Sequence, residues 1–287
     1  MMHLLFTADE NYARRIPVVL ESIKSSNKGE RVSIHLISNE LSQELRDFLA
    51  GFCADLGYDF FTYLIQKSTF SKAPVNKHYS NAMYYRLLAA EILPQDLERI
   101  LYLDPDVLVI NSLVPLWNMK LEEGVCFAAA SHTTEEGILD NINRIRLETS
   151  SVYFNTGVLL MDLTKCRELV RRDDIFSFIR DNGYKFILPD QDVFNGLYGE
   201  MTIQIPDEIW NYDARKYSRY LMKSTGMFNE YWVIRNTAIL HYCGKEKPWN
   251  SSYRFRFGNL YRHYEQLSER RGSNILKSRI LPQEKNL

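Results

Sequence analysis

No glycine occurs before Gly29. The apolar run "HLLFTA" therefore enters the turn "DENYA" without the residues that let backbone approach a phosphate. That counts against NAD enzymes of the Rossmann type and against glycine-loop pyrophosphorylases. Cysteine is scarce and scattered: Cys53, Cys126, Cys166 and Cys243 form no C-x-x-C pair, so neither a zinc knuckle nor a disulfide framework is encoded. They read as thiols of a reducing compartment. Charge of one sign is missing too, with 35 Lys and Arg against 36 Asp and Glu, which removes any global electrostatic case for nucleic acid as partner. No stretch approaches the roughly 20 apolar residues of a membrane span. The start, "MMHLLFTADENYARRI", has no basic leader and meets Asp9 and Glu10 too early for a signal peptide, so a cytoplasmic protein is expected. Repeats and low-complexity linkers are absent.

What is present suits a large globular chain: 287 residues, 45% hydrophobic and 25% charged. Strand and helix patterns alternate. "HLLFTA", "VSIHLIS" and "YDFFTYLI" read as strands, and "YARRIPVVLESIKSSN" and "SQELRDFLAGFCADLG" as helices. A helix "NAMYYRLLAAEIL" stopped by Pro94 precedes the strand "RILYL"; "VCFAAAS", "VYFNTGVLLMDL" and "AILHYCG" are later strands, and "DQDVFNGLYG" a short helix. Alternation of this kind implies the α/β class, a largely parallel sheet covered by helices. The pattern loosens near residue 205. The expected division is a nucleotide-sized α/β domain over 1–205, a less regular C-terminal part over 206–265, and a basic tail over 266–287. The tail, with Ile275, Leu276, Ile280 and Leu281, reads as a surface tail or as a peripheral membrane contact.

Asp104 and Asp106 follow the apolar "ILYL", where open α/β sheets place ligands, beyond the carboxyl ends of strands. Positions i and i+2 of a strand share a face, so both carboxylates can meet one hard cation, Mg²⁺ or Mn²⁺, with a phosphate completing its coordination. The pair alone has little specificity. With 16 aspartates in the chain, roughly one D-x-D arises by chance, and a second stands at Asp190 and Asp192. Asp9 and Asn11 after the first strand suit a ribose or base, or simply a helix cap. In "AILHYCGKEKPWN", His241 suits a metal and Lys247 a phosphate, with Gly244 permitting close backbone approach; a lone histidine ending a strand is otherwise a structural residue.

Six stretches carry a resemblance: "FTADENYA", "YYRLLAAEIL", "ILYLDPDVLVINSLVPLW", "YFNTGVLLMDL", "LPDQDVFNGLYG" and "LHYCGKEKPW". In this order and spacing they resemble the family 8 retaining glycosyltransferases, which include bacterial lipopolysaccharide galactosyl- and glucosyltransferases and glycogenin. The resemblance spans about residues 3–260. It implies a GT-A fold, a UDP-glucose or UDP-galactose donor, Mn²⁺ with Mg²⁺ as the alternative ion, and hexosyl transfer with retention to a glycan, glycolipid or glycoprotein. Under it Asp104, Asp106 and His241 are metal ligands. Ala8, Asp9 and Asn11 touch uridine and ribose, Arg86 and Asn155 the donor sugar or diphosphate, and Gly244 and Lys247 the diphosphate. Asp190 and Gln191 hold the sugar near its reacting carbon, and His78 lies on a flap over the donor. His132 departs from the acidic residue many relatives carry there. Arg86 is otherwise a partner for a nearby carboxylate, and Asn155 a turn residue. Retention suggests a carboxylate nucleophile, Asp190 or Asp192. The resemblance instead puts Gln191 nearest the sugar and favours front-face transfer, with the leaving phosphate taking the acceptor proton. Two rival readings are a nucleotide-sugar-binding protein without turnover and, given 18 tyrosines, a self-glycosylating protein.

Overall fold

The structure, a computed structural model, describes residues 1–66, 68–69, 81–132 and 138–280. The expected flap residue His78 lies outside the described residues, as does Leu281. The strands are β1 (Met2–Thr7), β2 (Val32–Ser38), β3 (Asp59–Leu64), β4 (Arg99–Leu103), β5 (Val107–Val109), β6 (Phe127–Ala130), β7 (Asn155–Asp162), β8 (Thr202–Ile205), β9 (Tyr212–Asp213) and β10 (Ile239–His241). Seven form one sheet in the order β3-β2-β1-β4-β7-β6-β8, and β5-β10-β9 form a small second one. In the large sheet only β7 runs against its neighbours. The chain is thus α/β with a mostly parallel mixed sheet flanked by helices.

Both faces of the inner strands are buried, as strands read as continuous apolar runs require, while the edge strands β3 and β8 are partly exposed. Leu4, Phe6, Leu101, Leu103, Val158 and Leu160 enter the core shared with the helices Ile16–Ser26 and Gln43–Leu56. The alternate residues Leu5, Ile100, Tyr102, Leu159 and Met161 face a second core closed by Leu163–Leu169, Arg172–Asn182 and Pro189–Tyr198. This is the period of two in a strand, with each fully buried Leu or Ile contributing about 1.5–3 kcal/mol. A third core of Tyr212, Tyr220, Tyr242, Tyr253 and Tyr261 around Leu108 and Leu240 underlies the small sheet. The aromatic crowding of the C-terminal part is packing at these positions.

Local structure departs from the sequence expectation at three places. The first expected helix is two, Glu10–Ala13 and Ile16–Ser26. Pro17 has no N–H to donate and its ring crowds the carbonyl four residues back, that of Ala13. The expected helix before Pro94 is a 3-10 helix over Asn81–Leu88 followed by one α turn, Ala89–Ile92, because tertiary bonds to Arg86 override the local preference. The tail is, through residue 280, the end of the helix Gly258–Ile280. There Ile275 is 8% exposed in the first core and Arg271 pairs with Glu21 and Asp55.

Strand direction positions the site. The carboxyl ends of β1, β4 and β6 and the amino end of the reversed β7 lie on one edge, bringing Ala8, Asp104, His132 and Asn155 together. Asp104 and Asp106 are not two positions on one strand: β4 ends at Leu103, Pro105 turns the chain, and Val107 opens β5 in the other sheet. Antiparallel pairing of β5 with β10 then sets His241 opposite Val107.

Candidate active site

A cavity of about 520 Å³ opens on this edge. Asp104, Asp106 and His241 form part of its wall, with one ligand atom from each lying within 4.8 Å of the others. His241 Nε2 is 3.3 Å from Asp106 Oδ1 and 3.7 Å from Asp104 Oδ2. Each carboxylate is anchored through its other oxygen. Tyr102 donates its hydroxyl to Asp104 Oδ1 at 2.5 Å and Arg86 reaches the same atom at 3.0 Å. Lys247 Nζ donates to Asp106 Oδ2 and, at 3.1 Å, to the carbonyl of Tyr242. The unanchored oxygens converge with the imidazole on one point.

The electrostatics follow. Burial alone would raise the Asp106 carboxyl, but Lys247 and His241 hold it well below the usual carboxylate range. Burial alone would lower His241, but Cys243 and Asp106 raise it well above its ordinary value. This point thus draws positive charge, and two carboxylates with one imidazole fit a divalent ion. Carboxylates favour hard cations such as Mg²⁺, Ca²⁺ or Mn²⁺, and imidazole favours transition metals. Among the described residues a second grouping exists, His132, Asp213 and Cys243. Arg215 already forks onto both oxygens of Asp213, at 2.9 and 2.7 Å, with Lys216 at 3.5 Å, so that carboxylate is neutralised by cations.

Across the cavity stand Asp190 and Gln191, in the first turn of the helix Pro189–Tyr198. Asp190 accepts from Thr156 Oγ1 at 3.0 Å and lies 3.7 Å from Arg86. Burial raises its pKa, with Arg86 opposing. Gln191 Oε1 accepts from Asn155 Nδ2 at 3.0 Å. Asp192 points away and is fully buried. It accepts from Arg146 twice, from Tyr153, and from the backbone N–H groups of Ile187 and Leu188. Its oxygens are saturated, so of the two acids only Asp190 faces the cavity.

Most of the residues expected from the sequence are brought together. Ala8, Asp9, Arg86, Asp104, Asp106, Asn155, Asp190, Gln191, His241, Gly244 and Lys247 all line the cavity. Asp9 also caps the helix Glu10–Ala13, accepting from the Tyr12 N–H at 3.0 Å, so cap and cavity wall coexist in one side chain. Arg86 both pairs with carboxylates and lines the cavity. Asn11 is exposed and outside the lining, and Tyr12 takes its place. The lining also holds Asn143, Arg146 and Arg215, with Asn211 behind it; these four stand outside every block that carries the resemblance, and only the fold brings them in. Tyr153 lines the cavity too, at the start of the block "YFNTGVLLMDL". His132 donates from Nε2 to the Asn211 carbonyl at 2.6 Å, and burial drives its pKa down to about 4.

The family model described as "Glycosyl transferase family 8" matches residues 3–252. The chain is 24% identical over 274 residues to General stress protein A of Bacillus subtilis, covering 92% of this chain and 93% of that one. It is 28% identical over 252 residues to the lipopolysaccharide 1,2-glucosyltransferase of Escherichia coli K12, covering 87% and 73%. Among solved structures, galactosyltransferase LgtC in complex with donor and acceptor sugar analogs superposes with a TM-score of 0.80 at 23% identity, covering 93% of this chain and 96% of that one. At that identity the likeness carries the fold.

Proposed function

Because the chain belongs to glycosyl transferase family 8, we propose that it moves a glucosyl or galactosyl unit from a UDP-sugar to a glycan, glycolipid or glycoprotein acceptor, with retention at the anomeric carbon. The observation that carries this reading is the convergence of Asp104, Asp106 and His241 beside Lys247, on the wall facing Asp190 and Gln191. LgtC bound to donor and acceptor analogs and the E. coli glucosyltransferase, both similar to this chain, support a sugar-transfer role. Asp104, Asp106 and His241 would hold Mn²⁺, which when bound supplies positive charge against the diphosphate leaving group.

The residues of the chain then divide the work. Ala8 and Asp9 meet the nucleoside and Gly244 and Lys247 the diphosphate. Asn155 and Arg86 fix the sugar side. Lys247, held on Asp106 Oδ2 and the Tyr242 carbonyl, would set its ammonium beside the cation site, where a diphosphate would lie. Asp192 is unable to attack, since its oxygens are saturated. Gln191 lines the sugar side as a weak nucleophile whose carbonyl dipole stabilises a short-lived oxocarbenium ion, and the leaving phosphate takes the acceptor proton. Residues 206–265 complete the site from the acceptor side. A membrane contact through the tail has less apolar surface than the sequence implies, because Ile275 is in the core; Leu276 is 49% exposed.

The test is UDP release from UDP-glucose and UDP-galactose with Mn²⁺ or EDTA, followed by an acceptor array. Asp106→Asn, isosteric with the native side chain, is expected to lower turnover by about 10²-fold or more. Metal-independent turnover, or an unaffected Asp106→Asn, sinks the reading; a glycosyl adduct trapped on Asp190 sinks the front-face version. Intact-mass measurement with donor alone checks self-glycosylation.

A further inference from the structure

Behind the cavity wall the fully buried Asn211 touches both halves of the site. It lies between the helix Asp207–Trp210 and β9. Its Oδ1 is 2.7 Å from His241 Nδ1, its Nδ2 is 2.8 Å from Asn155 Oδ1, and Asn155 Nδ2 is 3.0 Å from Gln191 Oε1. A chain of amides is ambiguous by itself, since oxygen and nitrogen can be exchanged at each link. Here one link is not ambiguous. The backbone N–H of Gly157 donates to Asn155 at 3.0 Å, and a backbone N–H can only donate. The atom it meets is therefore oxygen.

The rest follows in both directions. Because Asn155 presents oxygen to Gly157 and Asn211, Asn211 presents its amino group to Asn155 and its carbonyl oxygen to His241. A carbonyl only accepts, so His241 must carry a proton on Nδ1, and Nε2, the nitrogen facing Asp104 and Asp106, is the one left to bind a cation. In the other direction the Asn155 amino group holds the Gln191 carbonyl oxygen. We infer that Asn211 is a positioning residue that sets the metal-binding tautomer of His241 and, through Asn155, the orientation of Gln191. This rests on the glycosyltransferase reading and assigns to Asn211 a role that links the metal end of the site to the sugar end.

Two substitutions separate the branches. Asn211→Asp keeps an acceptor for His241 but removes the donor to Asn155. It is expected to leave the Mn²⁺ dissociation constant, titrated calorimetrically with UDP present, within about threefold while UDP release falls about 10–100-fold. Asn211→Leu removes both bonds and is expected to weaken Mn²⁺ binding and turnover together by about 10–100-fold. In a double-mutant cycle the turnover effect of Asn211→Asp should largely vanish in a Gln191→Ala background. The cycle decides even where Asn211→Leu does not fold. The inference is overturned if Asn211→Asp weakens Mn²⁺ as much as Asn211→Leu, if it leaves turnover intact, or if its effect adds independently to that of Gln191→Ala. Failure of the unaltered chain to bind Mn²⁺ or release UDP would overturn instead the reading beneath it.

Discussion

Asp190 and Asp192 are two residues apart on one helix, yet one lines the cavity beside Gln191 and the other is a structural clamp. Asp192 joins Arg146, at 2.7 and 2.8 Å, to the loop N–H groups of Ile187 and Leu188 and to Tyr153. Asp192→Asn leaves Arg146, 14% exposed, facing a neutral amide and is expected to lower stability by about 3 kcal/mol or more, read by urea denaturation. Asp190→Asn should leave the denaturation midpoint nearly unchanged and reduce UDP release by at least about tenfold. The reverse pattern would exchange their roles. The sequence shows D-x-D in both places and has no local signal to separate a metal pair from a clamp. Distant partners separate them: Asp104 and Asp106 meet His241, whereas Asp192 meets Arg146.

At the scale of elements, the reversal of β7 decides the site. Running against β4 and β6, it begins at Asn155 where its neighbours end, and Gly157 passes directly behind the candidate metal triad. Its carbonyl accepts from the Asp104 N–H at 2.8 Å, and a Cβ there would lie 2.2 Å from His241 Cε1 and 2.7 Å from Asp104 Oδ2. Both atoms belong to packed side chains. Gly157→Ala is therefore expected to push these ligands apart and weaken Mn²⁺ binding by at least about tenfold with the fold kept, read by titration and circular dichroism. Unchanged Mn²⁺ affinity would show that the triad can shift to accommodate the methyl. The apolar runs of β1, β2, β4 and β7 were legible because alternation and length distinguish them from helices. The reversal of β7 was not, since a strand pattern by itself reads the same for parallel and antiparallel pairing. The split of "YARRIPVVLESIKSSN" was legible in principle from Pro17.

For the whole molecule, the small sheet joins β5 to β9 and β10, so Asp106 of the candidate metal triad meets Lys247 from 141 residues away. Ordered blocks along the chain made that assembly legible as a family resemblance; the interior hydrogen bonds of Asn211 and the buried polar sites away from the cavity were not, because no motif marks them. One such site predicts how the whole fold responds to acid. His35, 3% exposed on β2, is 3.1 Å from His3 and 3.0 Å from Tyr63, and burial lowers its pKa from 6.5 to about 4. Between those values the unfolded chain takes up a proton that the folded chain refuses, so stability falls as pH falls, and above pH 6.5 this contribution is complete. His132 acts in the same direction. The raised His241 does not act in this window, being protonated in both states below pH 6.5. The ceiling for His35 is about 3 kcal/mol. His35→Gln removes the titration, so the stability difference between unaltered chain and variant, measured by urea denaturation from pH 7 to pH 4.5, should shift by about 2 kcal/mol toward the variant. A difference that stays constant with pH would mean that the imidazole charges in place within the fold, with His3 or Tyr63 yielding to it.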